Sequence, residues 1–278
     1  MIRSVLLFRN LVDNIPKNVG LYSVGVMMLL LFGLTFDYFQ ILLGLLAFLI
    51  SYSSVYVLND LFDVEEDKWD ERKISRKPLA LGVAKRKDAI AIFSSFLLLG
   101  LLFSLILGLL FFCVVLLLVL MNLIYSVSSA RIRKQGVEDV RLRSFKHTNL
   151  GLTLVTLMQI LKIFLPWTFI EQVFQFPVLF AIGFSLVYAI LFKGYKEYLT
   201  IGQSVMQAPF FFGFACAFFI SSMSLYPEPV IQTALVLYIL TGIVYFRNSH
   251  LTDRRVLLQS PVYILLGIII LFIMISHV

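Results

Sequence analysis

The chain has 278 residues, 60% of them hydrophobic and 14% charged, with a formal net charge of +7 and a mean hydropathy of +0.95. Soluble domains are roughly 45–50% apolar and about 25% charged, so this composition excludes a soluble globular domain, a disordered chain and a disulfide scaffold. The apolar residues run from end to end, which also excludes a lone membrane anchor on a soluble body.

Residues 1–10, with Arg3 and Arg9, are weakly amphipathic and read as an interfacial helix rather than a cleaved signal. A membrane-crossing helix needs about 20 mostly apolar residues. Nine stretches qualify: 19–36, 38–58, 88–107, 109–127, 148–169, 176–193, 204–223, 229–246 and 260–277. They predict an all-α polytopic bundle, one integral-membrane domain over residues 1–278. The third and fourth stretches share one apolar run from Ala89 to Val127. An unbroken helix there would be about twice the bilayer thickness, so a break is expected near Gly108. Cys113 and Cys216 lie inside apolar runs and read as small buried hydrophobes.

The basic residues report topology rather than a nucleic-acid partner, and none is expected. Of 23 Lys and Arg, 22 fall in five segments: the N-terminus, 59–87, 128–147, 193–203 and 247–259. The alternate connections, near Asp37, Gly108, Glu171 and Glu228, have none. Nine alternating helices place all five basic segments on one side, which the positive-inside rule makes cytoplasmic. The expected arrangement is a multi-pass protein of the cell (inner) membrane, with a cytoplasmic N-terminus and an external C-terminus. Connections on the outer side are short, so chemistry must sit in the bundle or at its cytoplasmic face.

Seven of the sixteen acids lie between Asp60 and Glu71. Asp60, Asp63 and Asp67 are spaced by three and four residues. If the second helix continues past the membrane boundary, they line one face, just after Asn59. Like charges on one face repel, and a hard divalent cation with oxygen ligands would compensate them. Mg2+ is usually held by one or two carboxylates together with substrate phosphates, which suggests a diphosphate-bearing substrate. Arg72, Lys73, Arg76 and Lys77 follow within one short stretch and suit phosphate oxygens. The competing reading is a solvated juxtamembrane loop of mixed charge. The acids abut a membrane helix directly, and this favours function.

The run N-D-x-x-D-x-x-x-D at Asn59–Asp67, followed by Lys77-Pro78-Leu79-Ala80-x-Gly82, resembles the UbiA superfamily of intramembrane prenyltransferases. Lys77 stands where that family usually has Arg. The resemblance implies a nine-helix bundle in which Asn59, Asp60, Asp63 and Asp67 serve Mg2+ and diphosphate. Typical members carry a second aspartate-rich motif after the sixth helix. The corresponding stretch here, residues 191–200, contains no aspartate. Its Lys193-x-Tyr195-x-Glu197 pattern resembles the polyprenyl-phosphate phosphoribosyltransferase branch, as do Asp63-Val64-Glu65-Glu66-Asp67, Leu161-Lys162 and Tyr125-Ser126. That branch implies transfer of 5-phosphoribose from phosphoribosyl diphosphate to a polyprenyl phosphate such as decaprenyl phosphate. Lys193, Tyr195, Lys196 and Glu197 would then orient the phosphoribose.

A lipid phosphate is already anionic near neutral pH and needs no general base. His147, His250 and His277 are scattered at helix edges and read as interfacial. Lys162 is the one basic residue within a span. It could snorkel to the outer surface or meet a phosphate deep in the bundle. Two other readings remain. One is a prenyltransferase passing a prenyl group from prenyl diphosphate to an aromatic or glycerol-phosphate acceptor. The other is a transporter or membrane scaffold without catalysis, against which the absence of a visible internal repeat counts.

Overall fold

Helix α1 (Ile15–Leu31) stops where the chain must leave the helical path. Gly33 takes a φ of 63°, its N–H donates to Leu30 O at 3.0 Å, and Leu34 N donates to Leu29 O at 3.0 Å. This is a glycine-dependent Schellman closure that satisfies the last carbonyls. Asp37 then caps the next helix: its Oδ1 accepts from Phe39 N at 2.8 Å and its carbonyl from Ile41 N at 3.0 Å. The computed structural model describes residues 15–68, 77–134, 149–186 and 188–189.

Helix α2 (Tyr38–Asp67) has 30 residues, or about 45 Å at 1.5 Å per residue. A hydrocarbon core is about 30 Å thick, so its last turns carry the acidic residues beyond the apolar span, as the sequence predicts. Helix α3 (Arg86–Leu107) and helix α4 (Leu109–Lys134) are separated by Gly108. The φ of 147° there favours glycine and breaks the long apolar run at the expected residue. Helix α4 runs on past the expected end at 127. Helix α5 (Asn149–Phe164) tightens into a 3-10 turn at Leu165–Phe169, where Pro166 removes a donor from the ladder. A second short turn, Val173–Gln175, leads to helical residues 178–186.

Among the described residues there is no strand. Four helical stretches are long and apolar enough to cross a membrane: Tyr38–Glu65, Arg86–Leu107, Leu109–Ser126 and Leu150–Phe169. The described residues are therefore all-helical, with several stretches suited to a multi-pass membrane protein. The apolar part of α1, Lys17–Leu30, is shorter. The three last expected spans and the interfacial segment 1–10 lie outside the described residues. Cys113 is exposed rather than buried, on a face of α4 that also exposes Leu109, Leu117 and Leu120.

The chain divides into two compact units, Met1–Val19 with Phe36–Glu138, and Gly20–Thr35 with Asp139–Val278. In the first, α2 packs against both α3 and α4. Gly100 of α3 lies so close to α2 that a Cβ there would sit 2.7 Å from Ser51 Cα; small residues permit such approach between membrane helices. In the second, Trp167 is fully buried, donates from Nε1 to Gly25 O at 3.1 Å and meets Phe32 edge-on at 5.8 Å. A Cβ on Gly25 would lie 2.6 Å from Pro166 Cγ.

Candidate active site

The first unit gathers a charged site at the end of α2. Asp60 and Asp67 are buried, at 5% and 4% exposure, and Asp63 is partly buried. Such burial of acids requires a cation, and the structure supplies Lys77, whose Nζ donates to Asp60 Oδ1. Burial alone pushes the Lys77 ammonium down. The charge and hydrogen bond of Asp60 and the charges of Asp67 and Asp63 outweigh it and hold Lys77 above its ordinary value. All three acids thus act on one cation.

Lys77 reaches Asp60 across seventeen residues because the segment after it is pinned. Leu81 N donates to Lys77 O at 3.0 Å, Gly82 N to Leu79 O at 3.2 Å and Ala84 N to Pro78 O at 3.1 Å. Gly82 takes a φ of 70° to close the turn. Leu79 and Ala84 then bury against Val57 and Val64 of α2 and Ala89 of α3. The Lys-Pro-Leu-Ala-x-Gly pattern is thereby a docking device: its apolar residues anchor the turn and its lysine covers the acids.

Glu65 is set apart from this face. At 62% side-chain exposure it pairs with Lys68 at 3.1 Å and with Arg86 at 3.5 Å, solvated contacts that contribute little. Asn59 lies on the inner side, where its Oδ1 accepts from Ser126 Oγ of α4. Ser126 Oγ also lies 2.9 Å from Asn122 O, and Asn122 Nδ2 donates to Tyr52 OH at 2.9 Å. The sequence reading passes over Asn122 and Tyr52. The signal that marks Asn122 is a lone amide at the end of the apolar run from Leu109.

Among the described residues, no three His, Cys, Asp or Glu side chains are gathered closely enough to hold a metal by themselves. Asp60, Asp63 and Asp67 offer hard oxygen donors and fall short of a closed cage. That fits Mg2+, which takes one or two carboxylates and completes its shell from water and substrate phosphate.

Lys162 belongs to the second unit, where it is 1% exposed. It does not snorkel. It shares a helix face with Gln159 one turn earlier, which is also buried and whose Oε1 has no hydrogen-bond partner among the described residues. The structure thus brings together Asn59, Asp60, Asp63, Asp67 and Lys77. Arg72, Lys73, Arg76, Lys193, Tyr195, Lys196 and Glu197 lie outside the described residues.

Residues 20–137 match the UbiA prenyltransferase family. The matched stretch contains the whole site just described, from Asn59 through Gly82 to Ser126, and stops short of Lys162 and residues 193–197. The chain also shares the fold of a UbiA homolog from Archaeoglobus fulgidus, solved bound to GPP and Mg2+ (17% identity over 99% of each chain, TM-score 0.62). A second structure of a UbiA homolog from that organism, bound to DMAPP and Mg2+, aligns at 17% identity over 99% of this chain and 100% of that one, with a TM-score of 0.61. No curated protein matches the chain in sequence. The matched family is one of prenyltransferases, and both of those solved structures hold Mg2+.

Proposed function

We propose that this protein is a Mg2+-dependent intramembrane transferase of the UbiA kind, releasing pyrophosphate from a diphosphate donor at its cytoplasmic face. The observation that carries this reading is the ion pair of Lys77 with the buried Asp60, on the face of α2 that also carries Asp63 and the buried Asp67. Acids paired internally by a lysine form a charge-balanced site. An incoming Mg2+–diphosphate complex can replace the lysine's charge at the acids and offer its own oxygens to the lysine. Mg2+, held by one or two carboxylates among Asp60, Asp63 and Asp67 together with the donor's phosphates, would neutralise charge developing on the departing pyrophosphate.

The chain's own residues do the rest. Asn59 hydrogen-bonds the diphosphate, and Lys77, with Arg72, Lys73 and Arg76, stabilises the leaving group as its charge grows. The support for an inner-leaflet position is the sequence alone: nine alternating spans with the basic segments inside would put the end of α2 there. An isoprenoid lipid acceptor then enters sideways from the membrane.

For the donor we favour phosphoribosyl diphosphate, with a polyprenyl phosphate attacking carbon 1 of the ribose. The support is the stretch 191–200, which lacks the aspartates of a second metal site and carries Lys193, Tyr195, Lys196 and Glu197 instead. Lys162, buried in the second unit, is by itself a cation suited to a phosphate. The second reading, a prenyl diphosphate donor, is favoured by the GPP and DMAPP bound in the two related structures.

One assay separates them. Purified protein with Mg2+ is given phosphoribosyl diphosphate with polyprenyl phosphate, or prenyl diphosphate with aromatic or glycerol-phosphate acceptors, and pyrophosphate release is followed. Release with the first pair alone supports phosphoribosyl transfer, and release with the second alone supports prenyl transfer. Release with neither, by folded protein, favours a non-catalytic transporter or scaffold.

A further inference from the structure

Beneath the charged end of α2, the first unit contains a chain of polar side chains that the reaction itself does not call for. Asn59 and Tyr52 lie seven residues apart on α2, two turns along one face. Asn122 and Ser126 lie four apart on α4, again on one face. The two faces are joined twice, by Ser126 Oγ donating to Asn59 Oδ1 and by Asn122 Nδ2 donating to Tyr52 OH at 2.9 Å. Between these links, Ser126 Oγ lies 2.9 Å from the carbonyl and 3.4 Å from the side-chain Oδ1 of Asn122. The Ser126 hydroxyl has one proton to share among these acceptors, so its direction depends on where Asn122 sits. Asn122 in turn is held by Tyr52.

Tyr52 is itself fixed by rings. It lies 5.5 Å from Phe48 and meets Tyr56 edge-on at 5.6 Å. Tyr56 OH accepts from Asn18 Nδ2 of α1 at 3.1 Å. Tyr52, Asn122 and Ser126 are all buried. In a hydrocarbon setting each buried polar group is held to its partner, because leaving it unpaired is costly. The geometry of Asn59 is thus set from two turns away and from a second helix, not by its own rotamer alone.

We propose that Tyr52 and Asn122 are positioning residues: acting through Ser126, they hold the Asn59 amide in the orientation in which it meets the donor's diphosphate. The proposal rests on the assignment of Asn59 to the diphosphate given above. Ser126 engages the Oδ1 end of the amide, and its Nδ2 end is a donor suited to a phosphate oxygen.

The test is a double-mutant cycle on donor half-saturation, with Tyr52→Phe and Asn59→Ala alone and together. Tyr52→Phe removes one hydroxyl and should raise the half-saturating donor concentration roughly five- to tenfold, the worth of one buried hydrogen bond. The acceptor's half-saturation should stay near that of the unaltered protein, while the melting temperature falls because Asn122 Nδ2 loses its acceptor. In the Asn59→Ala background, Tyr52→Phe should add nothing, because the group it positions is gone. If Tyr52→Phe imposes the same factor in both backgrounds, or none in either, the proposal is overturned while the functional reading stands. If the unaltered protein releases no pyrophosphate from either donor, the functional reading falls and this proposal with it. Should Tyr52→Phe fail to yield folded protein, Asn122→Ser enters the same cycle with the same two outcomes.

Discussion

Helices α2 and α3 are neighbours of similar character, and their fates differ. Their most apolar stretches have mean hydropathies of 2.2 and 2.6, yet 56% of the α2 window is buried and only 11% of the α3 window. The more apolar helix faces outward, exposing Leu98, Leu102 and Ile106. The less apolar one occupies the interior, burying Ser51, Tyr52, Ser53 and Ser54. In a membrane the solvent is as apolar as leucine, so burial is not driven by apolarity; small and polar residues collect between helices. Ser51 and Ser54 turn their hydroxyls back onto the carbonyls of Ala47 and Ser51, at 2.8 and 2.6 Å, and so enter the interior without outside partners. The helix that can tolerate polar groups inside is also the one that carries the acids.

The comparison can be broken most severely at the end of α2. On the proposed function, Asp63→Ala should lower pyrophosphate release by about a hundredfold or more, because it removes a carboxylate proposed to hold the leaving group's metal. Unchanged turnover in folded protein would detach the acids from the chemistry. Next comes the seam between the two helices. Gly100→Leu drives a side chain into the α2 backbone at Ser51 and should cost about 3 kcal/mol, seen as a lowered melting temperature in detergent. A Leu there that leaves the melting temperature unchanged would show that the helices do not approach as closely as described.

Lys77→Ala strands the Asp60 carboxylate. The loss should be about 2 kcal/mol, below the value for a fully buried pair because the Lys77 side chain is 29% exposed. Lys77→Arg should recover most of it. The folded-state value of Lys77 lies above its ordinary 10.5, so the pair's contribution is complete below that pH. It is lost only as pH rises through the higher value. Melting temperature should therefore carry no loss from Lys77 until the pH exceeds 10.5, and a loss centred at or below 10.5 would place Lys77 away from the acids. The smallest effect belongs to the outer face of α3. Ile106→Val should change stability by less than about 0.5 kcal/mol.

Much of this arrangement is legible in the chain itself. The break at Gly108 follows from bilayer thickness, and the extension of α2 through Asp67 follows from acids spaced for one helix face. Contacts that bridge long stretches of sequence are less visible. Nothing local says that Lys77 covers Asp60; that depends on Leu79 and Ala84 finding Val57 and Val64. Nor does Asn122 announce a partner seventy residues earlier, although an amide at the end of an apolar run asks for one. Glu65 sits among the acids in sequence and leaves their face in space, since one residue along a helix rotates a side chain by about 100°. The burial of Lys162 is likewise decided by its packing, because a long cationic side chain can equally reach an interface.

The claim that the acidic end of α2 receives a metal-bridged diphosphate is tested most directly by calorimetric titration of the purified protein with phosphoribosyl diphosphate and with a prenyl diphosphate. Each titration is run with Mg2+ and again with EDTA, on the unaltered chain and on Asp60→Asn. The account predicts that one of these donors binds in Mg2+, that EDTA removes the binding, and that Asp60→Asn weakens it sharply. Binding of equal strength in EDTA and in the variant would contradict it.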